Sequence, residues 1–205
     1  MKKRFHIRWY LAAALSATIL SPRLISLAVA QERAPARTLT AILLAARGAI
    51  SDPNFKGSIV LVMNNIGPAP VGVIINRPMP LFVSRLFPKV GSLSHVHDRV
   101  YYGGPVGFGK VWYLFRARAA PTGAIRVCDG VYLSADRELL LKLLGRKQPM
   151  KGLRIIVGHA GWAPGQLQAE IEGGAWRPRR ADAQSIFNPK PLRPWPGPGG
   201  RRPGA

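Results

Sequence analysis

Cysteine is nearly absent from this 205-residue chain, and acidic residues are few. Its single cysteine, Cys128, excludes an internal disulfide framework and a cysteine-rich zinc site, because both need several cysteines. Only 9 Asp and Glu residues stand against 30 Lys and Arg residues, which gives a formal net charge of +21. An excess of that size favours an anionic partner.

Three standard catalytic motifs are also missing from the sequence. It contains no Gly-x-x-x-x-Gly-Lys-Ser/Thr loop for nucleotides, no strand-linked dinucleotide fingerprint and no Gly-x-Ser-x-Gly nucleophile elbow. The basic residues are scattered singly, without the basic stripe or interleaved aromatic residues that are typical of nucleic-acid binding. The charge therefore has two readings, a codon bias towards arginine or an electrostatic role, and the sequence predicts no cofactor.

The N-terminus has the pattern of a secretory signal peptide. Lysine and arginine residues at the start precede an apolar run over residues 9–20, and the small residues Ala28 and Ala30 precede Gln31. An uncleaved membrane anchor is the alternative, but Pro22 and Arg23 interrupt the run before it reaches the roughly 20 apolar residues of a spanning helix. We expect cleavage after Ala30 and a periplasmic or secreted protein.

The remaining chain divides into three zones by composition. With 47% hydrophobic and 19% charged residues, the chain has enough apolar material for a folded core. Residues 31–38 form a polar linker, residues 39–188 carry alternating apolar runs and turn signals, and residues 189–205 are rich in Pro, Gly and Arg. Because proline lacks an N–H donor and glycine resists ordering, we expect the last zone to be a disordered tail.

Short apolar runs bounded by Gly, Pro and Asn predict a sheet within residues 39–188. Two of these runs flank a loop over residues 64–70 and predict a hairpin, and the run over residues 153–157 is apolar enough for a central strand. Helices are expected over residues 135–144, capped by Ser134, over residues 165–172, and in a shorter form near residues 80–87. Since strands mostly follow strands, the fold class is α+β with a mostly antiparallel sheet. The predicted strands are 40–46, 57–63, 71–76, 99–103, 110–117, 124–133 and 152–158.

Three small groups of residues qualify as candidate sites. His95 and His97 alternate as two ligands of one metal ion would on a strand, although their segment resembles a surface loop and lacks a third ligand nearby. Gly103 and Gly104 permit the backbone conformations of an anion-binding nest, or of a tight structural turn. Asn76 and Arg77 end an apolar strand, where an arginine either pairs with a carboxylate or faces a ligand.

The densest group of functional side chains joins the predicted strand over residues 152–158 to a predicted helix. His159 is a candidate base there, Trp162 and Gln166 are candidate pocket residues, and Glu170 lies one helical turn beyond Gln166. In the structural alternative, Trp162 packs in the core, Gln166 bonds the backbone and Glu170 pairs with an arginine.

Five segments in order across about 150 residues resemble the YqgE/AlgH family of bacterial proteins. They are residues 51–60, 71–78, 103–106 and 130–134, and the stretch over 158–176 that includes GHAGWAPGQL and Ala175-Trp176. The resemblance implies a single compact α+β domain over residues 39–188, whose bent sheet approaches a pseudo-barrel flanked by helices. It implies no known reaction, and one branch of the family is named for transcriptional control of alginate production.

This chain departs from the family in several places. Gly48 replaces a usual proline, Asn64-Asn65 replace an acidic residue and a histidine, and His159 replaces a usual tyrosine. The first two changes weaken any shared proton-transfer site. A secretory signal is the larger departure, because the family generally looks cytoplasmic.

Three functional hypotheses follow from these observations. The first is a non-enzymatic binding or regulatory domain, with candidate ligand-facing residues Asn76, Arg77, Gly103, Gly104, His159, Trp162 and Gln166. The second is a hydrolase or isomerase acting on an anionic substrate, with His159 as base and Glu170 orienting it. In the third, the basic mature chain attaches electrostatically to an anionic envelope polymer or a membrane surface. For an exported protein, the expected partners are an anionic envelope polymer or a periplasmic protein rather than DNA.

Overall fold

The computed structural model describes residues 41–48, 50–63 and 68–187. The predicted signal peptide, linker and tail, and Asn64-Asn65, lie outside these ranges.

Within the described residues, the chain alternates short strands with four α-helices and one 3-10 turn. In chain order the elements are β1 (Ile42–Ala46), β2 (Ile59–Met63), β3 (Val71–Ile74), β4 (Pro78–Phe82), α1 (Val83–Leu86), the 3-10 turn (Gly91–Leu93), β5 (Arg99–Tyr102), β6 (Val106–Arg116), β7 (Ile125–Cys128), β8 (Val131–Ser134), α2 (Arg137–Leu144), β9 (Leu153–Gly161), α3 (Gln166–Glu172), β10 (Trp176–Arg180) and α4 (Ala183–Phe187).

The strands form one curled sheet with β9 at its centre. The main path runs β10-β1-β2-β3-β9-β6-β8-β7, and β5 joins it beside β9 and carries β4. Every pairing is antiparallel except that between β5 and β9. The α+β class and the bent, mostly antiparallel sheet are confirmed, and the sheet curls into a half-barrel.

The buried side chains form three clusters, one inside the half-barrel and two on its outer surface. Because neighbouring residues of a strand point to opposite faces, β2 sends Leu61 to the inside of the half-barrel and Val60 and Val62 to the outside. The inner core also holds Trp112 and Leu114 of β6. One outer cluster is covered by α2, and the other packs Leu167 of α3 against the sheet.

The structure confirms the β2–β3 hairpin and the central position of residues 153–157. It corrects the helix predicted near residues 80–87, because the proline-containing segment Pro78–Phe82 is an edge strand and only Val83–Leu86 is helical. It also divides the strand predicted over 124–133 into β7 and β8, since Gly130 takes a positive φ of 68° at the turn between them.

The helix cap predicted at Ser134 is wrong by two residues. Asp136 is the N-cap of α2, and its carboxylate accepts a hydrogen bond of 2.7 Å from the backbone N–H of Leu139. Ser134 ends β8, where its hydroxyl donates to the carbonyl of Gly123 and accepts from the N–H of Asp136. Both residue types favour such positions, so the sequence alone did not separate them.

Helices in the described part of the chain are short. None combines the length and the apolar character that crossing a membrane would require.

Candidate functional site

An open cleft of about 620 Å³ lies where the loop before β2 meets the ends of β3 and β5. Its wall combines polar side chains with proline, methionine and aromatic side chains. Two residues predicted from the sequence, Asn76 and Arg77, lie in this wall. The lining residues are Asn54, Asn76, Arg77, Pro78, Met79, Pro80, Tyr102, Pro105 and Phe108.

Asn76 fastens the loop before β2 to the sheet. Its side-chain carbonyl accepts a hydrogen bond of 2.8 Å from the N–H of Ile59, and its amide nitrogen donates to the carbonyl of Gly57 at 3.0 Å. Both polar groups of Asn76 therefore have protein partners. Its role in the cleft is to shape the wall.

Arg77 is anchored to the same loop by one nitrogen of its guanidinium. Nη2 donates to the carbonyls of Lys56 at 2.6 Å and Pro53 at 3.1 Å. Within the described residues, Nε and Nη1 donate to no protein atom. The guanidinium is thus held in place at the cleft while one edge stays available for an acceptor.

Tyr102 and Phe108 form the aromatic part of the cleft wall. Their ring centroids are 5.7 Å apart, and Phe108 is 54% exposed. The Tyr102 hydroxyl donates to the side-chain oxygen of Asn54 at 3.0 Å. Burial raises the pKa of Tyr102, with Arg77 opposing the shift and Asp52 adding to it, so this hydroxyl is protonated at neutral pH.

Gly103 and Gly104 lie at a close crossing of two backbones. The N–H of Gly103 donates to the carbonyl of Val157 at 2.7 Å, and its carbonyl accepts from Ile74. A Cβ on Gly103 would lie 2.2 Å from the carbonyl oxygen of Gly158, and one on Gly104 would lie 2.4 Å from the backbone of His159. Because these glycines have no side chains, β5 can approach β9 closely. This is a structural role, the alternative to an anion-binding nest.

His159 lies on the other side of this crossing, against β6 and away from Glu170. Its ring contacts Trp112 edge to face at a centroid distance of 6.2 Å. Burial and the Lys110 ammonium lower the pKa of His159, and the backbone of Val106 acts against them, so the ring is neutral at pH 7. Its charge state suits a base, but no hydrogen bond among the described residues joins it to Glu170.

The carboxylate of Glu170 accepts hydrogen bonds from two indoles and one amide. Oε2 accepts from Trp162 at 3.0 Å and from Trp176 at 2.8 Å, while Oε1 accepts from Gln166 at 2.8 Å. The side-chain oxygen of Gln166 accepts from the N–H of Ala163. We call Trp162, Gln166, Glu170 and Trp176 the carboxylate cluster; it belongs to the outer core, with Trp162 only 6% exposed.

The histidines considered as metal ligands lie on the surface. His95 and His97 are both exposed, and the ring of His97 packs edge to face against Phe82. In the described ranges, no group of three or more His, Cys, Asp or Glu residues has the arrangement of a metal site.

Sequence reasoning missed Phe108, Trp112 and Arg154. Phe108 stands between Gly107 and Gly109, and an aromatic residue between two glycines signals a bulge that exposes it. Arg154 interrupts the apolar run of a central strand, which signals a buried charge. Trp112 carries no signal that separates it from an ordinary core residue.

Comparison with known proteins identifies a family for most of the chain. A family model described as AlgH-like matches residues 42–197. A UPF0301 protein of Anaeromyxobacter dehalogenans is 34% identical over 172 residues, covering 79% of this chain and 86% of the relative. Another from Streptomyces avermitilis is 35% identical over 167 residues, covering 77% and 83%.

Two solved structures share the fold. A crystal structure of a protein from Corynebacterium diphtheriae superposes with a TM-score of 0.61 at 24% identity and covers 77% of this chain and 83% of its own. The solution structure of the AlgH protein from Pseudomonas aeruginosa gives a TM-score of 0.60 at 24% identity and covers 76% and 85%. At this identity the likeness extends to the fold alone.

Proposed function

Because this chain belongs to the AlgH-like family, whose function is uncharacterised, we propose that it is a non-enzymatic binding or regulatory domain with its ligand site in the cleft at Arg77. The observation that carries the proposal is that an anchored guanidinium edge and an exposed aromatic pair line one open cleft.

The ligand must match both walls of the cleft. Nε and Nη1 of Arg77 are hydrogen-bond donors with a positive charge, so they select an anionic or carbonyl acceptor. The Tyr102–Phe108 wall favours a flat, partly apolar ring. An acidic sugar ring or an aromatic acid combines the two features.

The cleft lining favours binding over proton-transfer chemistry. Its titratable side chains are Arg77 and the Tyr102 hydroxyl. Arginine stays protonated in proteins, and the raised pKa of Tyr102 keeps that hydroxyl protonated at neutral pH. Neither group serves as a general base there, since a base must be deprotonated and ready to accept a proton.

Export is the second part of the proposal. Cleavage after Ala30 would place the protein in the periplasm or outside the cell, where anionic envelope polymers and periplasmic proteins are the available partners. Direct control of transcription does not fit such a location, because an exported protein does not meet the chromosome. The cleaved chain would keep 25 of the 30 Lys and Arg residues and all 9 Asp and Glu residues, a net charge of +16 that supports an anionic partner.

Phe108 gives the sharpest test of the cleft. We expect oligouronates to bind more tightly than neutral oligosaccharides of the same length, and Phe108→Ala to weaken that binding about fivefold, the share of one stacking contact. Phe82→Ala is the matched control, since Phe82 is the other exposed large apolar side chain of the described residues. Equal losses in both variants, or equal binding of neutral and acidic oligomers, would reject the cleft as the site.

Export has its own measurement. Fractionation of the native host followed by intact mass determination should find a chain that begins at Gln31 in the periplasm. A cytosolic protein with an unprocessed N-terminus would reject this part of the proposal and leave the cleft unaffected.

A further inference from the structure

Two buried side-chain atoms without a hydrogen-bond partner meet at one aromatic pair. They are Nε1 of Trp112 and Nδ1 of His159, and within the described side chains no other buried nitrogen or oxygen lacks a partner. Trp112 is 8% exposed, and its ring contacts that of His159. An unpaired buried polar group is costly, so two of them on contacting side chains point to a missing partner.

The same inner face holds a buried arginine. Arg154 pairs with Leu114 in the β6–β9 register, and Trp112 pairs with Ile156, so Arg154 and Trp112 are diagonal neighbours on one face. The Arg154 guanidinium lies 4.3 Å from the centre of the Tyr101 ring and donates to the carbonyl of Ile75. Arg154 is 9% exposed, and no carboxylate pairs with it among the described residues.

Lys110 brings a second cation to this group. Its Nζ lies 4.2 Å from the centre of the Trp112 ring, and its charge is one cause of the lowered pKa of His159. Lys110 belongs to the irregular part of β6 that includes Gly107, whose Cα faces the Nδ1–Cε1 edge of His159. Lys110 is exposed and His159 half-buried, so the group reaches solvent at this end.

These residues share one chemical character. We call Tyr101, Lys110, Trp112, Arg154 and His159 the inner-face cluster. The indole N–H, the ammonium and the guanidinium are donors only, and a neutral imidazole can place a proton on either nitrogen. Lys110 is the charged side chain that acts on His159, and no carboxylate acts on His159 or Arg154 within the described residues.

We propose that the inner-face cluster is a second ligand site, distinct from the cleft, that binds an oxyanion such as phosphate, sulfate or a carboxylate. The anion enters beside the exposed Lys110 and accepts hydrogen bonds from its ammonium, from the Trp112 indole and from the His159 ring. The fixed charge of Arg154 beneath them adds long-range attraction that a neutral ligand does not gain.

Indole N–H signals give a direct test in the whole protein. In ¹⁵N-labelled protein titrated with inorganic phosphate against sodium chloride of equal ionic strength, we expect the Trp112 signal to move and saturate. Trp162 and Trp176 are internal controls, because Glu170 already holds both indoles. The Trp112→Phe variant identifies the signal by its loss. Titrations with sulfate and with acetate, followed by the same Trp112 signal, then rank the affinities of the three oxyanions.

Lys110 provides the matched substitution. Lys110→Met keeps the aliphatic stem and removes the charge, and we expect about tenfold weaker phosphate binding. Lys89→Met, at an exposed lysine outside the cluster, should leave the affinity unchanged. A Trp112 signal that stays in place with phosphate, sulfate and acetate alike, or equal effects of the two lysine variants, would overturn the proposal.

Discussion

The indole N–H groups on the two faces of the sheet have opposite hydrogen-bonding states. In the carboxylate cluster on the outer face, Glu170 accepts from both Trp162 and Trp176. In the inner-face cluster, Trp112 lies under a lysine and beside a histidine, and its N–H has no partner. The first arrangement satisfies its polar atoms internally, whereas the second leaves donors and positive charge unmatched.

The difference distinguishes side chains that stabilise the fold from side chains that are available to bind a ligand. A polar group that is fully paired inside the protein has nothing left to offer a ligand, but its loss leaves the partners unpaired. Donors without partners cost stability and are free to bind. Trp162, Gln166 and Glu170 form hydrogen bonds with one another, so we expect them to stabilise the domain, although the sequence makes them look like a binding group.

Removing the carboxylate should have the largest effect. Glu170→Leu leaves two buried indole N–H groups without an acceptor, and we expect the free energy of unfolding to fall by about 2–4 kcal/mol. Urea denaturation followed by circular dichroism measures it. Glu172→Leu is the control on the same helix, since Glu172 is exposed and bonds only Gln168. Equal losses in the two variants would contradict the role of the carboxylate.

A pair of matched tryptophan substitutions compares the two clusters directly. Both substitutions remove the same ring volume from the core, so the cost of the lost volume is common to the two variants. Trp162→Phe also removes a hydrogen bond to a charged acceptor, whereas Trp112→Phe removes a donor that has no partner. We therefore expect the free energy of unfolding to fall by about 1.5–2 kcal/mol more in Trp162→Phe than in Trp112→Phe. Urea denaturation measures the free energy of unfolding of both variants. A larger loss for Trp112→Phe than for Trp162→Phe would mean that the Trp112 N–H already has a hydrogen-bond acceptor.

The smallest effect is a pH dependence of stability. Because the pKa of His159 is lowered from its ordinary 6.5 in the folded protein, the unfolded chain binds this proton more readily. Unfolding free energy should therefore decrease as the pH drops below about 6.5 and level off below the folded-state pKa.

Comparison of unfolding at several pH values with His159→Gln isolates this contribution. The variant should lack the decrease in that range, while His95 and His97 stay the same in both proteins. Asp182 also has a lowered pKa, because of its hydrogen bonds to Ser185. Its contribution to stability starts to be lost only when the pH falls to about 3.8, which is well below the range of His159. An unchanged profile in the variant would rule out His159 as the source.

Much of the fold was predictable because apolar alternation determines burial. The hairpin of β2 and β3 and the central β9 follow from their apolar runs. β10 was missed, because Trp176–Arg180 reads Trp-Arg-Pro-Arg-Arg and carries little strand character. It forms an edge strand, where proline and arginine are tolerated because one side of the strand has no partner.

The candidate sites were less predictable than the fold. Asn76 and Arg77 were identified from their position after a strand, and the structure places both in the cleft wall. Predicting the hydrogen bonds between Glu170 and two indoles requires knowing how α3 packs against β10. Predicting the inner-face cluster requires knowing the register of β6 on β9. The β6–β9 contacts join residues that are distant in the chain, so local patterns carry no information about them. Glu170 is close in sequence to both tryptophans, but the pattern does not say that the turns on either side of α3 bring the two indoles to one carboxylate.

The central place of β9 has a consequence for how the chain folds. Its partners β3, β5 and β6 all precede residue 153, and β3 begins some 80 residues before it. A chain that has grown only through β8 holds strands whose shared neighbour does not yet exist, so the half-barrel closes after most of the polypeptide has been made. Folds with such high contact order form slowly. The proposed export needs an unfolded chain at the translocation channel, and this late closure of the sheet would supply one.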